Sequence, residues 1–266
     1  MLKSNKIYKG DCIKLFEKLK ANSVDLIIAD PPYNLGKDFG KHSKNWDDVD
    51  KWFDWSKTWL KECKRVLKDD GSIFIFGIHK YICYIQCFLY ELELLYGRQI
   101  IWQYENGWSK YNKAPASTYE PVLWFVKTKQ YKYNEMREPY KSVERLKHKI
   151  TKNGKVWTPN PKGKIAGDIW NIPTLAGRRF ANEKVDHPTQ KPLALCNKIV
   201  KHFSYEEDLV FTPFAGSGTE CLSAKINNRN YIGFETNPAY IKIANERIRN
   251  WKSYLKDPSL AGLKNS

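Results

Sequence analysis

The 266-residue chain carries 45 Lys and Arg against 29 Asp and Glu, a net charge of +16 with a pI near 9.4, which favours a polyanionic partner. Its 42% hydrophobic and 14% aromatic content describes a folded globule, one large α/β domain or two small ones, and excludes a disordered chain. The lysine-bearing first ten residues are not a secretion signal, no uncharged apolar run nears the roughly 18–20 residues of a membrane span, and six cysteines without paired zinc spacing, "CYIQC" (83–87) among them, are expected as reduced core thiols of a cytoplasmic protein.

In chain order, residues 5–11 predict a short strand and 12–20 a helix with one apolar face. "VDLIIAD" (24–30) is a buried-type strand. A Gly/Lys/Asn-rich loop (35–47) precedes a long amphipathic helix over 48–68, stopped near Asp69-Asp70-Gly71. Its Trp52, Trp55 and Trp59 share one face, which predicts core or dimer packing rather than base stacking. A strand (72–77), a helix (79–95) and two aromatic-rich strands (98–106 and 120–128) follow. Residues 130–186 lose periodicity; between Lys141 and Lys184, 11 Lys/Arg face 3 Asp/Glu, half of the net charge, with Trp157 and Trp170 interleaved. The last third returns to alternation: helix (188–203), strand, glycine turn and helix (207–228), strand (229–237) and a closing helix (238–255). Strands alternating with helices imply a mostly parallel sheet covered on both faces.

Two sites carry chemistry. In "FAGSGT" (214–219), Gly216 and Gly218 follow a strand and open a helix, a ligand cradle or a structural turn. The third glycine of a dinucleotide fingerprint is Cys221 here, and no P-loop lysine is present. Glu235 ends the next strand, where an acid accepts from both ribose hydroxyls. The absence of phosphate ligands favours S-adenosylmethionine over NAD or ATP. The second site is "DPPYNL" (30–35), at the carboxyl end of a strand. Proline offers no N–H, so the Asp30 carboxylate and the Pro31 carbonyl form a rigid acceptor pair. Such a pair suits an –NH2 group: accepting both hydrogens of an exocyclic amine frees a lone pair otherwise delocalised into the ring. Tyr33 supplies a ring to stack on the base, with Asn34 and Leu35 shaping the floor. A plain turn accounts for Pro31-Pro32 but not for the acid and the aromatic together.

At these residues the chain resembles the bacterial DNA amino-methyltransferases, the adenine-N6/cytosine-N4 family. The resemblance spans about residues 5–250, with the tetrapeptide ahead of the glycine loop, the circularly permuted order of the β group. It implies a class I S-adenosylmethionine-dependent methyltransferase fold, α/β and Rossmann-like, doubly wound around a mostly parallel sheet. Residues 1–129 and 187–266 would form the catalytic and cofactor-binding domain; 130–186 would be a basic target-recognition insertion, not an independent domain. Asp30, Pro31, Pro32 and Tyr33 match the catalytic tetrapeptide. The cofactor would be held by Asp11 and Cys12 ("GDC"), Asp30, Thr189 and Lys191 ("HPTQKP"), Pro213, Phe214, Ala215, Gly216, Ser217, Gly218 and Thr219, and Glu235 with Thr236. Thr212 stands where the family commonly has Asp, a departure that touches the methionine amine, with Asp30 or Lys191 as compensating groups.

The implied reaction is methylation of adenine N6 in a short DNA sequence, the base flipped out and no metal needed. Asp30 in place of serine tilts the choice from cytosine N4 to adenine. In the basic segment Lys155, Lys162, Lys164, Arg178, Arg179 and Asn182 would contact double-stranded DNA. A homodimer, a cognate restriction endonuclease and a nucleoid-associated cytoplasmic location follow from the resemblance alone. RNA or a protein glutamine amide would satisfy the same acceptor pair. An inert cofactor fold that only binds nucleic acid and a nicotinamide dehydrogenase are further alternatives; the intact motifs weigh against the first and the missing third glycine against the second.

Overall fold

The computed structural model describes residues 2–33, 48–109 and 113–255. Asn34, Leu35 and the expected loop 35–47 lie outside the described residues. The elements are β1 (Lys6–Lys9), α1 (Cys12–Phe16), β2 (Val24–Ala29), α2 (Val49–Val66), β3 (Leu67–Phe76), α3 (Ile82–Glu91), β4 (Leu95–Trp108) and β5 (Ser117–Val126). Five short strands follow: β6 (Arg137–Glu138), β7 (Ile150–Lys152), β8 (Lys155–Trp157), β9 (Lys164–Ile165) and β10 (Ile169–Asn171). The chain closes with α4 (Leu193–Phe203), β11 (Leu209–Thr212), α5 (Thr219–Ile226), β12 (Asn230–Glu235), α6 (Pro238–Arg249) and α7 (Trp251–Tyr254).

Eight strands form one sheet in the order β1-β12-β11-β2-β3-β5-β4-β10. Its pairs are parallel except β3–β5 and β4–β5, which are antiparallel. All six residues of β2 are buried, because helices cover both faces of a parallel sheet and leave no polar side to alternate with. Leu26 and Ile28 join the core layer shared with α4, α5 and α6, while Ile27 and Ala29 join the layer shared with α1, α2 and α3. The helix starts follow capping rules. Asp11 accepts from the Ile13 N–H at 2.9 Å, Asp48 from Lys51 N–H at 2.7 Å, and Asn237 from Ala239 N–H at 2.9 Å with Pro238 next in the chain.

Several expectations are corrected. The strand expected at 72–77 begins at Leu67, directly on the end of α2, because Leu67 pairs with Val24 across an irregular register. The closing helix divides at Asn250 into α6 and α7. Cys83 and Cys87 are exposed: Ile82, Ile85, Phe88 and Leu89 form the buried stripe of α3, and the two thiols lie off it. Cys12, Cys63, Cys196 and Cys221 are buried thiols as expected. Trp52 and Trp59 are buried in the core, as the helical face predicts.

The basic segment is woven into the main body at both ends. β10 pairs in parallel with β4 and buries Trp170, and Met136 is buried in the core. Lys132 is taken up internally: its ammonium bonds the buried Asp25 at 2.6 Å and Asp208 at 2.7 Å, while Lys68 reaches Asp25 at 2.7 Å. Burial alone would raise the Asp25 carboxyl, but the two lysines and the Leu209 N–H outweigh it and hold it below the usual carboxylate range. Among the described residues no helix is long and apolar enough to cross a membrane, and no group of three or more His, Cys, Asp or Glu is arranged to hold a metal ion.

Candidate active site

A cavity of about 770 Å³ opens at the carboxyl ends of β1, β12, β11 and β2, where an open α/β sheet places its ligand. It gathers residues that are far apart in sequence: Asp11 and Cys12 after β1, Asp30 to Tyr33 after β2, Thr189 and Lys191 before α4, Pro213 to Ser217 and Thr219 after β11, and Glu235 and Thr236 after β12. Of the residues expected around a cofactor, Gly218 is off the cavity wall. It lies behind the loop, where an added Cβ would stand 2.6 Å from the Ala244 Cβ.

One end of the cavity is the glycine turn. The Gly216 N–H donates to Glu235 Oε2 at 2.8 Å, and the Asn237 N–H to Oε1 at 2.8 Å. The carboxylate is thereby fixed, and its remaining lone pairs are available to ligand hydroxyls. Gly216 has φ +47° and Gly218 φ +75°, left-handed conformations natural to glycine, and a Cβ on Gly216 would lie 2.8 Å from His187 Nε2. Such a close-fitting turn beside an aimed acid suits a nucleoside-bearing group. Arg247 braces the turn from beneath: its guanidinium, on the buried side of α6, reaches the Ser217 carbonyl at 2.7 Å and Thr219 Oγ1 at 2.9 Å. The Phe214 ring leans on Trp55 and Trp59, with centroids 5.6 and 5.3 Å away, so one of the three tryptophans of α2 also lines the cavity. Burial pushes His187 down to about 4, so it is neutral at physiological pH, with its ring against Tyr240. Thr212 is buried, does not line the cavity, and its hydroxyl has no hydrogen-bond partner among the described residues.

The other end is the tetrapeptide. The Tyr33 hydroxyl donates to Asp30 Oδ1 at 2.5 Å, and the Lys191 ammonium pairs with Asp30 Oδ2 at 2.9 Å and Glu120 Oε2 at 3.4 Å. Lys191 is 4% exposed and lies over the rings of Tyr33, Phe76 and Trp102, 5.2 to 5.9 Å from their centroids. Burial works against its charge, but the two carboxylates more than offset it and raise the ammonium above its ordinary value. The Tyr33 phenol is pushed well up by burial and by the same two carboxylates, so it stays protonated. Trp52 Nε1–H donates to the Pro32 carbonyl at 2.8 Å, fixing the Pro-Pro step from α2. The Pro31 carbonyl, on the cavity wall, has no hydrogen-bond partner among the described residues. Asp30 and Pro31, the residues of the expected acceptor pair, thus line the same cavity. The Asp30 side of that pair already holds two protein donors, and a carboxylate retains lone pairs beyond those two.

Sequence reasoning missed Glu120, Trp102, Tyr104, His187 and Glu220 on this wall. Glu120 left one trace, an acid heading an otherwise apolar, aromatic strand. The DNA-contact candidates are exposed but scattered: Lys155 on β8, Lys164 on β9 beside Glu138, Lys162 in the turn before it, and Arg178, Arg179 and Asn182 around a single 3-10 turn. That turn follows Thr174, Leu175 and Ala176, which line the outer cavity wall.

A family profile described as DNA methylase matches residues 24–246, a span that includes both the tetrapeptide and the glycine turn. The chain belongs to this DNA methylase family. Relatives match over about nine-tenths of the chain. Type II methyltransferase M1.MboII of Moraxella bovis is 33% identical over 257 residues, covering 92% of this chain and 96% of that protein. DNA adenine methyltransferase YhdJ of Escherichia coli K12 is 36% identical, covering 91% and 82%. Among solved structures, a complex of M1.HpyAVI with SAM superposes with a TM-score of 0.60 at 27% identity over 91% of this chain and 98% of that one. The cytosine-N4-specific PvuII DNA methyltransferase gives 0.70 at 19% identity over 98% and 94%, a likeness of fold. This DNA methylase thus has the class I methyltransferase architecture, with its tetrapeptide strand β2 directly beside its glycine-turn strand β11.

Proposed function

We propose that this DNA methylase transfers the methyl group of S-adenosylmethionine to the exocyclic N6 of adenine within a short DNA sequence, acting on a base flipped out of the duplex. The observation that carries the reading is that Asp30 and Pro31 line one cavity, the Pro31 carbonyl having no hydrogen-bond partner among the described residues. Glu235 and the backbone of the glycine turn fit the cofactor's ribose, and residues 213–219 its methionine end. When bound, the cofactor supplies an electrophilic methyl on a sulfonium. Asp30 and the Pro31 carbonyl accept the two amine hydrogens and so turn the nitrogen lone pair toward that methyl. Tyr33 presents its ring to the base, and Lys191 balances the Asp30 and Glu120 charges without taking part in bond making. Positioning and electrostatics carry the rate.

Aspartate rather than serine at position 30, and an adenine methyltransferase among the relatives, support N6 of adenine over N4 of cytosine. The exposed lysines and arginines of the basic segment would grip phosphates, with the turn around Arg178, Arg179 and Asn182 closest in sequence to the outer cavity wall. Type II relatives support a partner restriction endonuclease, and the fold and thiol chemistry suit the cytoplasm. The test is a labelled-methyl assay on DNA, RNA and protein, followed by nucleoside analysis of the DNA. N6-methyladenine is the expected product; N4-methylcytosine would redirect the specificity, and label in RNA or protein alone would overturn the reading.

A further inference from the structure

Glu220 is a buried carboxyl on the cavity wall for which the reaction has no use. It lies in the first turn of α5, is 4% exposed, and lines the cavity. Among the described residues its only side-chain contacts of note are its own backbone N–H and the Cys196 thiol, 3.9 Å from Oε1; it has no ion pair. Of the nearby cations, Lys191 is paired with Asp30 and Glu120, and Arg247 bonds Ser217, Thr219 and Tyr254 while its Nη2 has no hydrogen-bond partner among the described residues; neither forms an ion pair with Glu220. A buried carboxyl without a cation is costly unless a ligand completes it. A sulfonium offers no N–H, and the target amine is neutral and already matched by Asp30 and the Pro31 carbonyl. The α-ammonium of a methionine moiety offers three donors and a full positive charge.

We propose that Glu220 receives the α-ammonium of the bound cofactor's methionine moiety, and that the carboxyl gives up a proton to solvent as that cation arrives. The proposal rests on S-adenosylmethionine being the cofactor. Burial, with Asp30 adding to it, lifts Glu220 to about 7, and the charges of Lys191 and Arg247 only partly counter this. The groups facing it are Asp30 after β2, Lys191 before α4, Cys196 on α4, Arg247 on α6 and its own neighbour Cys221, both thiols being raised by burial and hence neutral. A cation placed on Glu220 lowers its pKa, so binding drives the proton off. Thr212, off the cavity wall, does not supply this acceptor.

Titration calorimetry of the full chain with S-adenosylmethionine and with S-adenosylhomocysteine, in buffers of different ionisation enthalpy, counts the protons. The wild type is expected to release about half a proton per cofactor at pH 7, beyond any from the ligand itself, with Kd weakening about tenfold from pH 8 to pH 6. Glu220→Gln, of the same shape, should lose that release, flatten the pH dependence and weaken Kd roughly ten- to a hundredfold at pH 8. 5′-Methylthioadenosine, which lacks the amino-acid portion, should bind both proteins alike at every pH. Equal proton release and equal Kd in wild type and Glu220→Gln, with the wild type binding S-adenosylmethionine normally, would overturn the proposal alone. A wild type that binds neither S-adenosyl ligand would overturn the cofactor reading with it.

Discussion

Replacing Lys191 with methionine removes the one cation between Asp30 and Glu120 while keeping the length of the side chain. Both carboxylates are mostly shielded, at 15% and 21% side-chain exposure, and Lys191 at 4% is shielded further, so water screens little of the loss. Deleting one partner of a buried ion pair costs about 3–5 kcal/mol. The lower bound, about 3 kcal/mol, corresponds to a Tm fall of roughly 6–12 °C for a chain of this size. In the wild type the raised Lys191 contributes stability that is fully present below the unfolded lysine pKa of about 10.4 and is lost only as the pH climbs past it. The deficit of Lys191→Met should therefore be fully present at pH 8 and shrink as the pH climbs past about 10.4, where the wild type itself loses that contribution. Urea denaturation of both proteins at pH 8 and pH 11 measures this directly. Adding Asp30→Asn to Lys191→Met should restore part of the loss at pH 8. A deficit of the same size at both pH values, or none at pH 8, would refute the assignment of Lys191 as the counter-charge of this cluster.

Asp30→Ala should lower methyl transfer roughly 10²–10³-fold at saturating cofactor, read as kcat beside calorimetric Kd; near-normal turnover would remove Asp30 from the mechanism. Gly216→Ala places a Cβ 2.8 Å from His187 at a φ of +47°, so cofactor Kd should weaken and Tm should fall by a few degrees; an unchanged Kd would mean the turn does not approach the ligand. Binding of a duplex should weaken steeply with salt. Arg178→Ala with Arg179→Ala should make the log–log slope shallower by about 2, whereas an unchanged slope would place the phosphates elsewhere.

The legible parts of the fold are those with a local signature. β2 declares itself because a strand buried on both sides is an unbroken apolar run, and its stop at Asp30 is chemical rather than conformational. Gly216 and Gly218 are legible because the turn demands positive φ. The boundary between α2 and β3 is not, since Val66 and Leu67 are both apolar and the change of direction is set by pairing with Val24. β10 is three residues long, too short for any period, and exists because β4 offers it an edge. The cluster of Lys191, Glu120, Asp30 and Tyr33 joins residues from three distant stretches, and only the tertiary fold makes Lys191 a buried cation. Glu220 follows the glycine turn in sequence, yet its lack of an ion pair among the described residues is a property of packing alone.

The place of β12 in the sheet has a consequence for how the chain becomes a protein. β12 lies between β1, the first of the described strands in chain order, and β11, and both pair with it. Until Asn230–Glu235 has left the ribosome, those two strands have no partner on that side, and their exposed edges invite pairing with other chains. The wall that carries Glu235 arrives with the same strand. Translation of β12 therefore completes the sheet and the Glu235 end of the cavity together, and a chain interrupted before it would keep both strand edges exposed and lack that wall.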